Sequence, residues 1–255
     1  KNMFNSGKLN FISHLHGDHY FGLIGLVSTF QLLTRETELH IYGPKGIKEV
    51  ITLQLKLSES WTSYPLIFHE LTSKESEKLY EDDKVEVHTI PLKHRVYTNG
   101  FLFKEKENER KLDISAVLNA NINVAYYRKL KQGADVENED GILVKNASVT
   151  KDPLPSKSYA YCSDTVYYEA IIPIIKDATV LYHESTFLDK NEALCERTKH
   201  STARQAGKIA RKANVETLLL GHFSTRYNGY DVFESEAREE FDNVLLAQDG
   251  KSFEF

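Results

Sequence analysis

Four side chains able to bind a metal fall within six residues, His14-Leu15-His16-Gly17-Asp18-His19. This is too dense for one tetrahedral ion with ordinary chain geometry, so the spacing suits two ions. Imidazole nitrogen and carboxylate oxygen bind zinc at about 2.0–2.2 Å, and a donor set without thiolate points to catalysis rather than to a closed structural site. In a strand-to-loop turn the alternate residues His14 and His16 can face one ion. Asp18 and His19 then turn toward a second, and Gly17 relieves backbone crowding between the pairs. Two ions also call for a bridging carboxylate, for which Asp164 is the best candidate. His40, His69 and His88 stand alone and read as ordinary core or surface residues.

The elements that must position these groups alternate between strand and helix. Leu9–Ser13 reads as a strand that delivers the cluster on a loop. Apolar residues at helical spacing follow over 20–33, then a strand over 39–42 closed by Gly43-Pro44, a helix over 46–57, and strands over 66–71 and 85–91. Four further strand-like runs end at polar residues: 85–90 runs toward His94, 159–162 ends at Asp164, 179–182 at His183-Glu184, and 217–220 at His222. Five strand ends thus carry ligand or acid/base groups, and loops along one edge of a rigid sheet are where function concentrates.

Composition narrows the classes. A chain of 255 residues without a Pro/Gly-rich linker suits one large α/β domain. The formal charge of −5 argues against sequence-blind adhesion to nucleic acid, which needs a broadly basic surface, so any such partner must meet a local basic patch. Cys162 and Cys195 form no C-x-x-C pair, which indicates neither a disulfide framework nor a thiolate zinc site and fits a reducing cytoplasm. No apolar run is long enough to span a membrane.

The motif H-x-H-x-D-H resembles the metallo-β-lactamase fold superfamily. The wider sequence resembles its tRNase Z (ribonuclease Z) branch, short form: F-I-S-H-L-H-G-D-H-Y-F-G-L-I-G-L at 11–26, I-Y-G-P-K-G at 41–46, L-K-H-R-V-Y-T-N-G-F at 92–101, Y-C-S-D-T at 161–165, H-E-S-T-F at 183–187, H-S-T at 200–202 and L-L-L-G-H-F-S-T-R-Y at 218–227. The resemblance implies an αββα sandwich of two mixed sheets flanked by helices, a single domain over 1–255 with an inserted tRNA-binding arm at about 103–149, and removal of the 3′ trailer from precursor tRNA. It implies two zinc ions per subunit, manganese being the alternative. One is held by His14, His16 and His94, the other by Asp18, His19 and His222, with Asp164 between them. A hydroxide shared by the ions is expected to attack phosphorus. Asp18 would orient that nucleophile, and His200 with its partner Glu184 would protonate the departing 3′ oxygen. Ser224, Arg226 and Tyr227 are candidate substrate contacts, and a homodimer is the expected assembly.

The helix after H-S-T carries a stripe of Ala203, Ala206, Ala210 and Ala213 and another face of Arg204, Lys208, Arg211 and Lys212. That basic face suits either phosphate contact or simple solvation. In the expected arm, where the family carries a Gly-Pro pair, this chain instead reads A-N-I-N-V-A-Y-Y-R-K-L-K over 120–131, in which aromatics interleave with Arg128, Lys129 and Lys131. The family's opening strands, with a D-C-G-E-G-like turn, are missing from this sequence, which suggests residues before Lys1. The competing enzymatic readings are a lactamase, a glyoxalase-II-like thioesterase or another phosphodiesterase. A lactamase would need a thiolate, for which Cys162 is the nearest residue. The non-enzymatic reading is a retired scaffold subunit of an RNA-processing complex.

Overall fold

Leu9, Phe11 and the apolar run after Glu38 pair early, and they set the first layer. β1 (Leu9–Phe11), β2 (Leu39–Pro44) and β3 (Leu66–Leu71) form a parallel three-stranded sheet in the order β1-β2-β3. The computed structural model describes residues 7–255; the expectation about strands preceding the chain lies outside them. Helix α1 (Gly17–Leu32) buries Leu23, Val27 and Phe30, spaced one helical turn apart, against Ile47 and Ile51 of α2 (Ile47–Leu57) and against Leu39 and Ile41. α1 starts three residues earlier than its apolar pattern announces. Asp18 sits in its first turn, where a carboxylate complements the helix dipole. The loop expected to hold the whole cluster therefore ends at His16, and Asp18 and His19 ride on the helix.

The larger sheet is built from β4 (Lys78–Glu81), β5 (Val85–Leu92), β6 (Thr98–Glu105), β7 (Ser158–Cys162), β8 (Val180–Glu184), β9 (Thr217–Gly221) and β10 (Val244–Leu246), in the order β10-β9-β8-β7-β6-β5-β4. β7 to β10 are parallel, with Cys162 opposite His183, His183 opposite Leu220 and Glu184 opposite Gly221. Their C-terminal ends consequently lie along one edge. Phe11 of β1 stacks on Tyr42 at 5.0 Å and tilts against Phe101 of β6 at 5.2 Å, which joins the two sheets through aromatic rings.

Helix α3 (Ala203–Ala213) covers the outer face of this sheet. Ala203, Ala206, Ala210 and Ala213 are fully buried with Ile209, as their spacing requires, and pack with Ala160, Leu181 and Leu218. Thr202 and Gln205 form a reciprocal capping box at its start, worth about 1 kcal/mol. α4 (Asp231–Arg238) packs beside it through Phe233 and Ala237. The two-sheet, helix-flanked arrangement read from the sequence is present.

By internal contacts the chain divides into two compact units. One comprises residues 7–80, 87–103 and 158–255 and holds the sheets and helices above except for the outer residues of β4, β5 and β6; 81–86 and 104–157 form the other. The second has its own small core of Val117, Ile122, Leu130, Val136 and Val149 under short helices and two-residue strands.

Candidate metal centre

Three imidazoles meet where β1 and β5 end. The Nε2 of His14 lies 3.0 Å from the Nδ1 of His16, and the Nε2 of His94 lies 3.3 Å from the same nitrogen. The other ring nitrogens of His14 and His94 are already spoken for. His94 donates from Nδ1 to the carbonyl oxygen of Lys199 at 2.8 Å, and His14 Nδ1 bonds Ser13 Oγ at 3.0 Å. A carbonyl can only accept, so His94 Nε2 carries a lone pair into the cluster. Converging nitrogen lone pairs repel one another unless a cation lies between them.

Asp164 supplies the fourth corner and more. Its Oδ2 lies 3.7 Å from His14 Nε2 and 3.8 Å from His94 Nε2. Its Oδ1 lies 3.4 Å from both His19 Nε2 and His222 Nε2, and Asp18 Oδ2 lies 3.4 Å from His19 Nε2. Ligands bound tetrahedrally at about 2.0–2.1 Å stand roughly 3.3 Å apart, so separations of 3.0–3.8 Å are of metal-site size. Among the described residues the possible ligand groups are His14/His16/His94/Asp164, Asp18/His19/His222 and Asp164/His200/His222; the first two share no residue, and Asp164 turns Oδ2 to one and Oδ1 to the other. The residues present fit two divalent cations.

The protonation states agree with that fit. Burial, followed by the neighbouring His19, lowers the pKa of His14 to about 3, and burial also lowers that of His94, so both stay neutral as ligands must. Burial raises the Asp164 carboxyl, but His222, the hydroxyl of Ser163 and His19 outweigh it and hold the group below its ordinary value. The backbone pays a local strain for this aim. Asp164 and His222, each just beyond a strand, adopt left-handed φ angles of 57° and 58°. At Gly221 a Cβ would lie 2.3 Å from the Tyr182 hydroxyl, so a larger residue just before His222 would have to displace the Tyr182 side chain.

Behind the cations' place sits a fully buried carboxylate. Glu184 belongs to β8 itself rather than to a following loop, a shift from the expected strand end. Its Oε1 accepts from Thr165 N at 2.9 Å and His200 Nδ1 at 2.8 Å, and its Oε2 accepts from Thr186 N at 3.1 Å and Thr186 Oγ1 at 2.6 Å. Burial pushes this carboxyl upward, yet the hydrogen bond and charge of His200 bring it below its usual value. His200 is correspondingly raised: burial lowers it, but Glu184 more than compensates. His200 arrives on the turn after left-handed Lys199, and its ring stands 5.2 Å from those of His94 and His222.

All seven expected ligands and the Glu184–His200 pair come together. The three expected substrate residues do so unequally. Arg226 lies over the Phe187 ring at 5.1 Å and donates from Nε to Ser224 Oγ at 3.2 Å. The Tyr227 hydroxyl accepts from Leu188 N and donates to Asn191 Oδ1, so this side chain anchors its own loop. The basic face of α3 resolves toward ion pairing: Arg204 meets Asp189 and Glu239, Lys208 and Arg211 meet Glu240, and Lys212 meets Glu169. Three contributors were not legible beforehand. They are Ser13 and the Lys199 carbonyl, which hold the candidate ligands His14 and His94, and Arg95, whose charge acts on His200. Only Arg95, one residue past a ligand, left a signal in the sequence.

No family model matches the chain. It is 41% identical over 239 residues to a protein of Bacteroides thetaiotaomicron named ribonuclease Z, covering 94% of this chain and 76% of the relative. It is 44% identical over 238 residues to the ribonuclease Z of Cytophaga hutchinsonii, covering 93% and 76%. Among solved structures it resembles human tRNase Z, short form, with a TM-score of 0.64 and 23% identity over 96% of this chain and 78% of that one. A metallo-β-lactamase fold protein from Bacillus subtilis gives 0.62 at 19% identity over 96% and 76%. The structural likenesses establish the fold.

Proposed function

The chain belongs to the ribonuclease Z family, and we propose from that premise that it removes the 3′ trailer of precursor tRNA with two metal ions, leaving a 3′-hydroxyl on the tRNA. The observation that carries the reading is Asp164, whose two oxygens face two separate histidine groups. The nitrogen and oxygen donors favour zinc, with manganese the alternative ion. Two such ions supply Lewis acidity, which makes water a nucleophile near neutral pH and offsets charge on the phosphodiester.

The chain's own residues do the rest. Asp18 has a largely exposed carboxylate at the mouth of the second group, where it can orient the attacking water and take its proton. His200, held by Glu184 through Nδ1, presents Nε2–H to the departing 3′ oxygen. When the P–O3′ bond breaks, that proton passes to the oxygen, and the trailer keeps the phosphate. Ser224 and Arg226 stand beside His222 as phosphate contacts, with Tyr227 bracing their loop.

The unit of 81–86 and 104–157 is the proposed tRNA-gripping arm, an insertion in one metallo-β-lactamase-fold domain. Arg128, Lys129 and Lys131 occupy its short helix Tyr127–Lys131, with the Lys129 ammonium 5.5 Å from the Tyr126 ring centroid. A homodimer belongs to the same reading, and the exposed Leu32, Leu57 and Trp61 near the ends of α1 and α2 are apolar surface suited to a second copy. No described helix is long and apolar enough to cross a membrane, and both cysteines are free, which supports a place in the cytoplasm. A lactamase-type thiolate finds no support, because Cys162 is buried in the core and neither ligand group contains cysteine.

The test is incubation of the metal-loaded protein with precursor tRNA bearing a 3′ trailer, beside Asp18→Ala. Cleavage after the discriminator base by the wild type alone is expected. Equal inactivity of both, with hydrolysis of a thioester or lactam, overturns the reading.

A further inference from the structure

Thr186 touches both halves of the site without belonging to either. Its Oγ1 has one hydrogen, and the 2.6 Å contact to Glu184 Oε2 uses it, since an ionised carboxylate can only accept. The same oxygen lies 2.8 Å from His222 Nδ1, and with its hydrogen spent it must accept there. Nδ1 of His222 is therefore the protonated nitrogen, and Nε2 keeps its lone pair toward Asp164 Oδ1. Each hydrogen in this chain has one permitted place. The Thr186 carbonyl also accepts from Ser224 N at 3.2 Å, which ties down the residues following His222, itself held at a left-handed φ.

We infer that Thr186 is a positioning residue: its hydroxyl sets the tautomer and ring orientation of His222, and it links the ligand of the second ion to the carboxylate that holds the His200 acid. Resting on the two-ion reading above, the inference makes Glu184 a hub with one oxygen for each task. Oε1 serves His200 and Thr165 N, next to bridging Asp164; Oε2 serves Thr186 and through it His222. Partners of this kind fix ligand basicity and direction, and their loss commonly costs roughly 10–100-fold in metal affinity or activity. Replacing the hydroxyl with a methyl leaves His222 Nδ1–H unmet and allows the ring to turn or change tautomer, while His200 keeps its own bond to Glu184.

The test is a zinc titration of metal-stripped wild type, Thr186→Val, Thr186→Ser and His222→Ala against a chromophoric chelator. In Thr186→Val the zinc affinity that His222→Ala abolishes is expected to fall roughly 10–100-fold with the other unchanged, and Thr186→Ser to return within about threefold of wild type. The unchanged first affinity doubles as the control for folding. Cleavage by Thr186→Val at saturating zinc should recover most of the lost rate, which a general packing defect would not allow. If Thr186→Val binds both ions as the wild type does while His222→Ala loses one, the inference fails and the two-ion reading stands. Equal losses in Thr186→Val and Thr186→Ser would assign the effect to packing and also overturn it. Retention of both ions by His222→Ala would remove His222 from the ligand set, and the inference with it.

Discussion

A buried carboxylate persists only where its lone pairs are met, and the four donors on Glu184 meet them with the orientation that His200 and His222 need. Glu184→Gln would aim an NH2 group at a backbone N–H that cannot accept it, that of Thr165 or of Thr186 whichever way the amide turns, so a loss of about 1–3 kcal/mol in urea unfolding is expected, together with weaker catalysis. His200→Ala removes only the acid. Single-turnover cleavage should slow by roughly 10²- to 10⁴-fold while metal analysis still finds both ions; an unchanged rate would dismiss His200 from leaving-group protonation. The histidines also set a pH dependence. His14, His94 and fully buried His183 have folded pKa values below the ordinary 6.5, each chiefly through burial. The unfolded chain takes up protons as pH falls through 6.5 while the folded chain does not, so each contributes a loss of stability on acidification of up to about 1.4 kcal/mol per pH unit. His200 is shifted the other way and favours the folded state below 6.5, but His69, lowered by burial and by His40, joins the other three, so it is one group against four. Denaturation of metal-free protein at pH 7.5 and 5.5 should show lower stability at 5.5; a rise would contradict the assignment.

Among elements, the packing of α3 on α4 offers a contest of two magnitudes. Gly207 lies mid-helix, where alanine would gain roughly 1 kcal/mol in propensity. A Cβ there would stand 2.7 Å from the carbonyl oxygen of Ala237, which cannot swing away as a side chain could. Overpacking costs typically 1–3 kcal/mol, so Gly207→Ala should be net destabilising in a thermal melt. The alanine stripe was legible because burial on one helix face repeats every three or four residues. The ionic face was not: Asp189, Glu169 and the pair Glu239-Glu240 come from three segments outside the helix, and only the fold shows that they neutralise Arg204, Lys212, Arg211 and Lys208. The same distinction runs through the site. Four ligand-type side chains within six residues announce themselves, whereas Lys199 contributes a carbonyl, an atom every residue has, and Thr186 a hydroxyl that reaches from neighbouring Glu184 to His222, 36 residues further on.

At the scale of the whole molecule, a net charge of −5 must coexist with a polyanionic substrate. The proposed arm, with Arg128, Lys129 and Lys131 on one short helix, is where local positive charge can offset it. Replacing all three with alanine should raise KM for precursor tRNA and flatten its salt dependence by roughly one unit of log–log slope per lost phosphate contact. Hydrolysis of a small phosphodiester should be unaffected; an equal loss on both substrates would tie these residues to the chemistry instead.

The ligand groups also have a mechanical side. One joins His14 to Asp164, and the other joins Asp18 to His222, so a cation held by either would buckle a segment near the start of the chain to one far along it. A bound cation then works as a clasp that shrinks the freedom of the loosened chain, and at a hundred times its Kd it would add about 2.7 kcal/mol to folding. Withdrawing the ions with a chelator would therefore do more than silence cleavage: it would unfasten the segment carrying His14 to His19 from the rest and expose it to proteases.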